Sequence, residues 1–358
     1  MSCSQENEVL LPVVDISQIS HAFERQQGTG NPALATFRKA CEEWGFLYVV
    51  NHGIPEDLLQ NVESQAAQLR ALPLEIKEKL ATSNPADAKE KAATSNTGET
   101  EENGATSNPS KIIGKTSLSK PKNGYTSTAW MDNFCFTELP HSNSVQEVCD
   151  KIWPEEGNPK FCEAIRTYVV SVADLASRIS KIIVASLGLD VETVYHADFE
   201  NFVSHMRINL YVTDRKMSME EEIPRSHTDI GCFTILYQDK EGGLQVRSKE
   251  GKWVDVRPLP NSFVINVADC MKAWSNGRFR SAEHRVVYKG WKDRISIPYF
   301  VQFPPDKQIT APEELVDDDH PRRYRPFTFS QFRQAFYNNM VVGKGENPAD
   351  FIDTYAAI

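Results

Sequence analysis

Two histidines and an aspartate hold the chemistry of this chain: His227 and Asp229, two apart in "SHTDIGCFTILYQD", and His284 in "SAEHRVVYKGW". Two imidazole nitrogens and one carboxylate oxygen are the donors that hold non-haem iron(II) on one face. That arrangement leaves positions open for dioxygen and an organic co-substrate. On an extended segment His227 and Asp229 point to the same side, because strand side chains alternate. A His-x-Asp string by itself is common in turns, so its weight comes from the distant His284. Zinc is the rival metal, but the helical His-Glu-x-x-His spacing is absent from the sequence.

A second pair follows in "RISIPYF", where Arg294 and Ser296 share a strand face. A guanidinium fork matches a carboxylate, and a hydroxyl completes the contact. An unpaired Arg in an apolar barrel would be costly, so its position points to an anionic ligand. The alternative is a structural acid beside it, or a head group that reaches water. Asn209 and Tyr211 in "RINLYV" have the same spacing and could hydrogen-bond a bound acid. His205 opens that strand and is the one remaining histidine held in reserve; the others read as surface, cap or core residues.

Such residues need a rigid wall, and the chain past His205 supplies strand patterns. "HMRINLYV", "CFTILYQD", "GLQVRS", "WVDVRPL", "SFVINVAD", "EHRVVY" and "RISIPYFVQF" are short apolar or alternating runs separated by Gly and Asn turns. Many short strands at that spacing predict a β-sandwich or jelly roll. Before them, "LPVVDIS" and "GFLYVVNHG" read as strands, residues 34–44 and the stretch after Pro55 as helices, and about 158–187 as a long amphipathic helix stopped by Gly188. "FTFSQFRQAFYNNMV" reads as a late helix. The expected fold is mainly β with flanking helices around a double-stranded β-helix, or jelly-roll, core. Its regions are an N-terminal α/β part (1–80), a low-complexity insertion (81–125), a helical support (126–200), the jelly roll (201–305) and a C-terminal helical segment (306–358).

The insertion carries three "ATSN" copies, at Ala81, Ala93 and Ala105, among Lys, Glu, Thr, Gly and Pro. With few large apolar side chains it cannot offset its ordering entropy by burial, so a mobile segment is expected. Over all 358 residues 40% are hydrophobic and 25% charged, and the net charge is −10. That charge argues against nonspecific nucleic-acid binding and docking on anionic membranes. Seven scattered cysteines without a Cys-x-x-Cys pair predict free thiols rather than a disulfide framework. The N-terminus lacks a basic start followed by an apolar core, so a cytoplasmic protein without a membrane span is the expectation.

The order Asn-x-Tyr, His-Thr-Asp, "SNGR…EHRVV" and Arg-x-Ser resembles the plant-type 2-oxoglutarate- and iron(II)-dependent dioxygenases of the isopenicillin N synthase-like superfamily. "LPVVDIS…ACEEWGFLYVVNHGIP", "ALPLEIKEKL" and "APEELVDDDHPRRYRPFTF" extend the resemblance over nearly the whole chain. It implies His227, Asp229 and His284 as Fe(2+) ligands, and Arg294 and Ser296 as anchors for the distal carboxylate of 2-oxoglutarate. Tyr211 would lie beside them, Asn209 nearer the metal, and Phe300 would face the organic substrate. It also implies O2 as oxidant, ascorbate as reductant, succinate as product and a monomer acting on a small molecule. "MKAWSNGR" and "PEELVDDDHPRRYRPF" resemble plant enzymes that oxidise hormones such as auxin or gibberellin, or specialised metabolites; Arg225 and Lys272 are candidates to read an acid group. One departure is Ala268–Asp269, where the family has Gly-Asp. The alternatives are an oxidase of the same fold that needs no 2-oxoglutarate, and a non-catalytic small-molecule binder. The binder would be expected to have lost part of the triad or of Arg-x-Ser.

Overall fold

Some helices begin where a side chain supplies a cap. In the computed structural model, which describes residues 11–19, 31–80, 124–127, 131–155, 157–211, 221–222, 226–288, 292–342 and 351–358, the chain opens with β1 (Val13–Asp15) and α1 (Pro32–Glu43). The Asn31 side chain accepts from the Ala33 and Leu34 N–H groups, and Pro32 takes the first helical position, where a missing N–H costs nothing. Then come β2 (Phe46–Val50), α2 (Glu56–Arg70), α3 (Leu74–Leu80), β3 (Gly124–Ser127), β4 (Met131–Leu139), α4 (Ser144–Ile152), α5 (Pro159–Ser186) and α6 (Val191–Asp198). The catalytic-region strands are β5 (Val203–Tyr211), β6 (Glu221–Glu222), β7 (Phe233–Gln238), β8 (Leu244–Arg247), β9 (Trp253–Asp255) and β10 (Phe263–Val267). After α7 (Asp269–Trp274) follow β11 (His284–Tyr288), β12 (Arg294–Gln302), β13 (Gln308–Ile309), β14 (Phe327–Thr328), α8 (Phe329–Val342) and α9 (Phe351–Ala356).

The strands form an eight-stranded sheet, in the order β1-β2-β10-β7-β12-β5-β4-β3, and a four-stranded sheet, β6-β11-β8-β9. Of the pairings in these two sheets, only β1 with β2 is parallel. Strand alternation divides the apolar residues into two cores. Leu47, Val49, Ile235, Ile265, Ile208 and Ile297 face the helices, with α5 as the central support, while Phe46, Tyr48, Leu236, Val264 and Tyr211 face the smaller sheet. This is the jelly roll expected, and its interior is where the polar site residues lie.

Two expectations are corrected. The 126–200 region does not consist of helices alone: β4 is a nine-residue strand paired along β5 in the large sheet. That sheet therefore draws strands from the N-terminal, middle and jelly-roll regions together. Cys149 and Cys162 form a disulfide, because α4 packs against the start of α5 and brings their Cα atoms to 6.5 Å, within bridging range. Cys41, Cys135, Cys232 and Cys270 are free as expected. At Ala268 the backbone is extended, at φ −115° and ψ 174°, a conformation that needs no glycine. The insertion lies outside the described residues except for its last two, which begin β3. Among the described residues no helix is long and apolar enough to cross a membrane.

One glycine sets the corner that delivers β2 to the site. Gly45 has φ +65°, and a Cβ there would stand 2.1 Å from the Arg280 carbonyl oxygen. Its own carbonyl accepts from Val267 N–H, and Arg280 N–H donates to Cys41 O, so α1, β10 and the approach to His284 meet here. Gly45→Ala is expected to cost about 2–3 kcal/mol of stability. A thermal unfolding midpoint equal to that of the parent would contradict this.

Candidate active site

The segment before β7 and the start of β11 place the triad. His227 and His284 exchange both backbone hydrogen bonds, at 3.0 and 2.9 Å, a bridge between residues far apart in the chain. Their rings lie 4.4 Å apart. Asp229 points to the same side: its Oδ1 is 3.7 Å from His227 Nε2 and 3.9 Å from His284 Nε2. One ligand atom from each residue falls within 4.8 Å of the others.

Neighbouring groups orient these donors. Thr234 Oγ1 and Asn266 Nδ2 donate to Asp229 Oδ2 at 2.6 and 2.8 Å, holding that oxygen so that Oδ1 faces the imidazoles. His284 Nδ1 meets the Ala282 carbonyl at 3.2 Å; donating to it puts the free lone pair on Nε2. The edge of Phe46 packs on the His284 ring. Burial would push the Asp229 carboxyl up, but the two imidazoles and the two donors more than offset it, and the group sits below its ordinary value. Burial, with His227 acting in the same direction, takes His284 down to about 4. An ionised carboxylate with a neutral imidazole is the state a divalent cation needs, so the donor set fits iron(II). Ala268 and Asp269 brace the loop from behind: Asp269 N–H donates to Asp229 O, and Thr228 Oγ1 to Asp269 Oδ2.

The inner face of the large sheet carries the second group. Arg294 pairs across to Tyr211, and Ser296 to Asn209, in the β12–β5 register. Arg294 is only 2% exposed; its guanidinium lies over the Tyr211 ring at 4.6 Å, and its Nε donates to the Gly242 carbonyl. Its Nη1 is buried with no hydrogen-bond partner. A cation so placed is incomplete without an acceptor, and a carboxylate entering the roll would supply one. Asn209 accepts from Asn133 Nδ2 at 2.6 Å and donates to Ser296 Oγ at 3.3 Å, which fixes the serine hydroxyl. Phe300 lies further along β12, paired with His205 and stacked on it at 4.5 Å.

Sequence reasoning brought together seven residues that the fold also brings together, with Phe300 at their far end. It missed Thr234, Asn266 and Asn133, ordinary strand residues in sequence whose polar heads matter only because the roll turns them inward. Of the two candidates for reading an acid, Lys272 is paired with Asp353 at 2.6 Å, so its charge already has a partner. Arg225 lies outside the described residues.

Two sequence signatures match the chain: "2OG-Fe(II) oxygenase superfamily" over residues 203–303, and "non-haem dioxygenase in morphine synthesis N-terminal" over 11–156. Jasmonate-induced oxygenase 4 of Arabidopsis thaliana is 29% identical across 94% of this chain and 84% of its own. The 1-aminocyclopropane-1-carboxylate oxidase 5 of the same plant is 31% identical across 93% and 96%. Among solved structures, the dioxygenase for auxin oxidation of rice superposes with a TM-score of 0.73 at 27% identity, covering 97% of this chain and 100% of that one.

Proposed function

The chain belongs to the 2OG-Fe(II) oxygenase superfamily, and on that premise we propose which residues run its reaction and what class of molecule it oxidises. It is a 2-oxoglutarate-dependent Fe(II) dioxygenase, an oxidoreductase with a jelly-roll core. Our assignment gives iron to His227, Asp229 and His284, and the distal carboxylate of 2-oxoglutarate to Arg294, Ser296 and Tyr211. Asn209 acts through Ser296, and Phe300 faces the organic substrate. The single observation that carries this reading is the buried, unpartnered Nη1 of Arg294 on the wall of the same roll that holds the triad.

Bound iron and 2-oxoglutarate together supply dioxygen activation, conversion of the keto acid to succinate and carbon dioxide, and oxidation of a substrate C–H bond. The protein's part is positional. Thr234 and Asn266 hold Asp229 in one rotamer, and Ala282 holds the His284 tautomer. Arg294 fixes the far end of the co-substrate so that its keto acid end is presented to the triad. Apolar walls from Phe46, Leu236 and Val264 keep that interior dry. The relatives' names favour plant hormone acids, such as the auxin of the rice enzyme, ahead of other specialised metabolites. Ascorbate as reductant, a monomeric state and a cytoplasmic location complete the proposal.

The test is succinate release from 2-oxoglutarate with Fe(II) and ascorbate, screened against auxin-, jasmonate- and gibberellin-type acids. Stimulation by at least one acid, matched by its oxidised product, is expected. Substrate oxidation without 2-oxoglutarate would instead favour an oxidase, as one relative is named. No turnover of 2-oxoglutarate under any condition would sink the assignment.

A further inference from the structure

The wall that carries Arg294 is crossed by a row of polar side chains. β4, β5 and β12 are neighbours in the large sheet, and their registers set Asn133 opposite Asn209 and Asn209 opposite Ser296. The row beside it runs Met131, Tyr211, Arg294. Met131 and Asn133 are two apart on β4, so both share the face that Tyr211 and Asn209 present on β5. Asp132, between them, points the other way and forms a buried ion pair with Lys77 of α3 at 2.8 Å, which holds β4 in this register.

Hydrogen bonds join this row end to end, and their direction matters. Asn133 Nδ2 donates to Asn209 Oδ1 at 2.6 Å, and Asn209 Nδ2 donates to Ser296 Oγ at 3.3 Å. An amide accepts at one end and donates at the other, so the contact at one end of Asn209 decides what it offers at the other. With a donor at Asn133, Asn209 presents an N–H to the serine. Ser296 Oγ then accepts, and its single proton is left for another partner. With the Asn209 amide turned over, the serine would give that proton to Asn209 and show only lone pairs to an incoming carboxylate. Asn133 and Ser296 are 7% and 3% exposed, so water competes little for these bonds. Among the described residues, the one hydrogen bond of the Asn133 side chain is the bond to Asn209.

Resting on the functional reading above, we propose that Asn133 is a positioning residue for the co-substrate. It sets the amide of Asn209 so that the Ser296 hydroxyl donates to the distal carboxylate of 2-oxoglutarate beside Arg294. β4 carries neither the Asn-x-Tyr nor the Arg-x-Ser pair, yet it tunes co-substrate affinity from two strands away. In this arrangement Asn133 acts wholly through Ser296.

A double-mutant cycle in the full chain tests this. The dissociation constant of 2-oxoglutarate is measured by calorimetric titration into Mn(II)-loaded protein. Asn133→Leu and Asn133→Ala differ in volume, but both remove the donor, and each is expected to weaken binding about 3- to 10-fold. In a Ser296→Ala background the same changes are expected to shift it by less than about twofold. Circular dichroism checks that each variant is folded, and two substitutions of different size keep the test decisive if one packs poorly. Unchanged affinity in both variants overturns the proposal. So does an equal loss with and without Ser296, which would mean a packing role. Failure of the parent to bind 2-oxoglutarate, or undiminished binding by Ser296→Ala alone, overturns the functional assignment and the proposal with it. If Ser296→Ala weakens binding and the Asn133 variants do not, only the role of Asn133 is wrong.

Discussion

Asp229→Ala is expected to lower 2-oxoglutarate turnover by on the order of 10³-fold or more. Asp229 contributes the only carboxylate to the His227–Asp229–His284 group, so its loss leaves two neutral nitrogens to hold a divalent cation. Thr234 Oγ1 and Asn266 Nδ2 also lose their shared acceptor, which leaves two polar groups unpaired in a buried place. Asp229→Asn separates these effects, since its amide oxygen can still accept from one of them while the negative charge is gone. Both variants are expected to bind Fe(II) weakly in anaerobic titration while keeping near-parental circular dichroism. Turnover close to the parent in either variant would remove Asp229 from the metal site.

Arg294→Leu has the second large effect: the KM for 2-oxoglutarate is expected to rise by about 100-fold. The guanidinium is nearly wholly buried, with one face on Tyr211 and its Nε on the Gly242 carbonyl, so it has little freedom to reach another partner. Leucine fills part of the volume and supplies no donor. Arg294→Lys keeps a charge but not the planar fork, and an intermediate rise of about tenfold is expected. Steady-state kinetics with 2-oxoglutarate varied at saturating iron read this directly. An unchanged KM for 2-oxoglutarate in both variants would move the anchor elsewhere and favour an oxidase that does without the keto acid.

Much of the site was legible because strand chemistry is local. His227 with Asp229, Arg294 with Ser296 and Asn209 with Tyr211 are each spaced by two, and period-two alternation puts both members of a pair on one face whatever the fold around them. The long helix at Pro159–Ser186 was equally legible from its amphipathic pattern and Gly188. The strand at Met131–Leu139 was not read, because "MDNFCFTEL" lies between a low-complexity stretch and a run of helices, and nothing local shows that β5 will pair with it. The Cys149–Cys162 bridge was missed for the same reason: it depends on how two helices pack, not on spacing.

The sequence by itself determined the donor types, their pairing two by two on strand faces, and the order in which they occur. Only the tertiary structure decided that the pairs converge. It did so through contacts between residues far apart in the chain: the His227–His284 bridge, the β12–β5 register, and the turning inward of Thr234, Asn266 and Asn133. It also decided which arginines go unpartnered, because a guanidinium is incomplete only once packing has removed water and withheld a carboxylate. Arg294 shows this: packing over Tyr211 and burial within the roll are what leave its Nη1 without an acceptor.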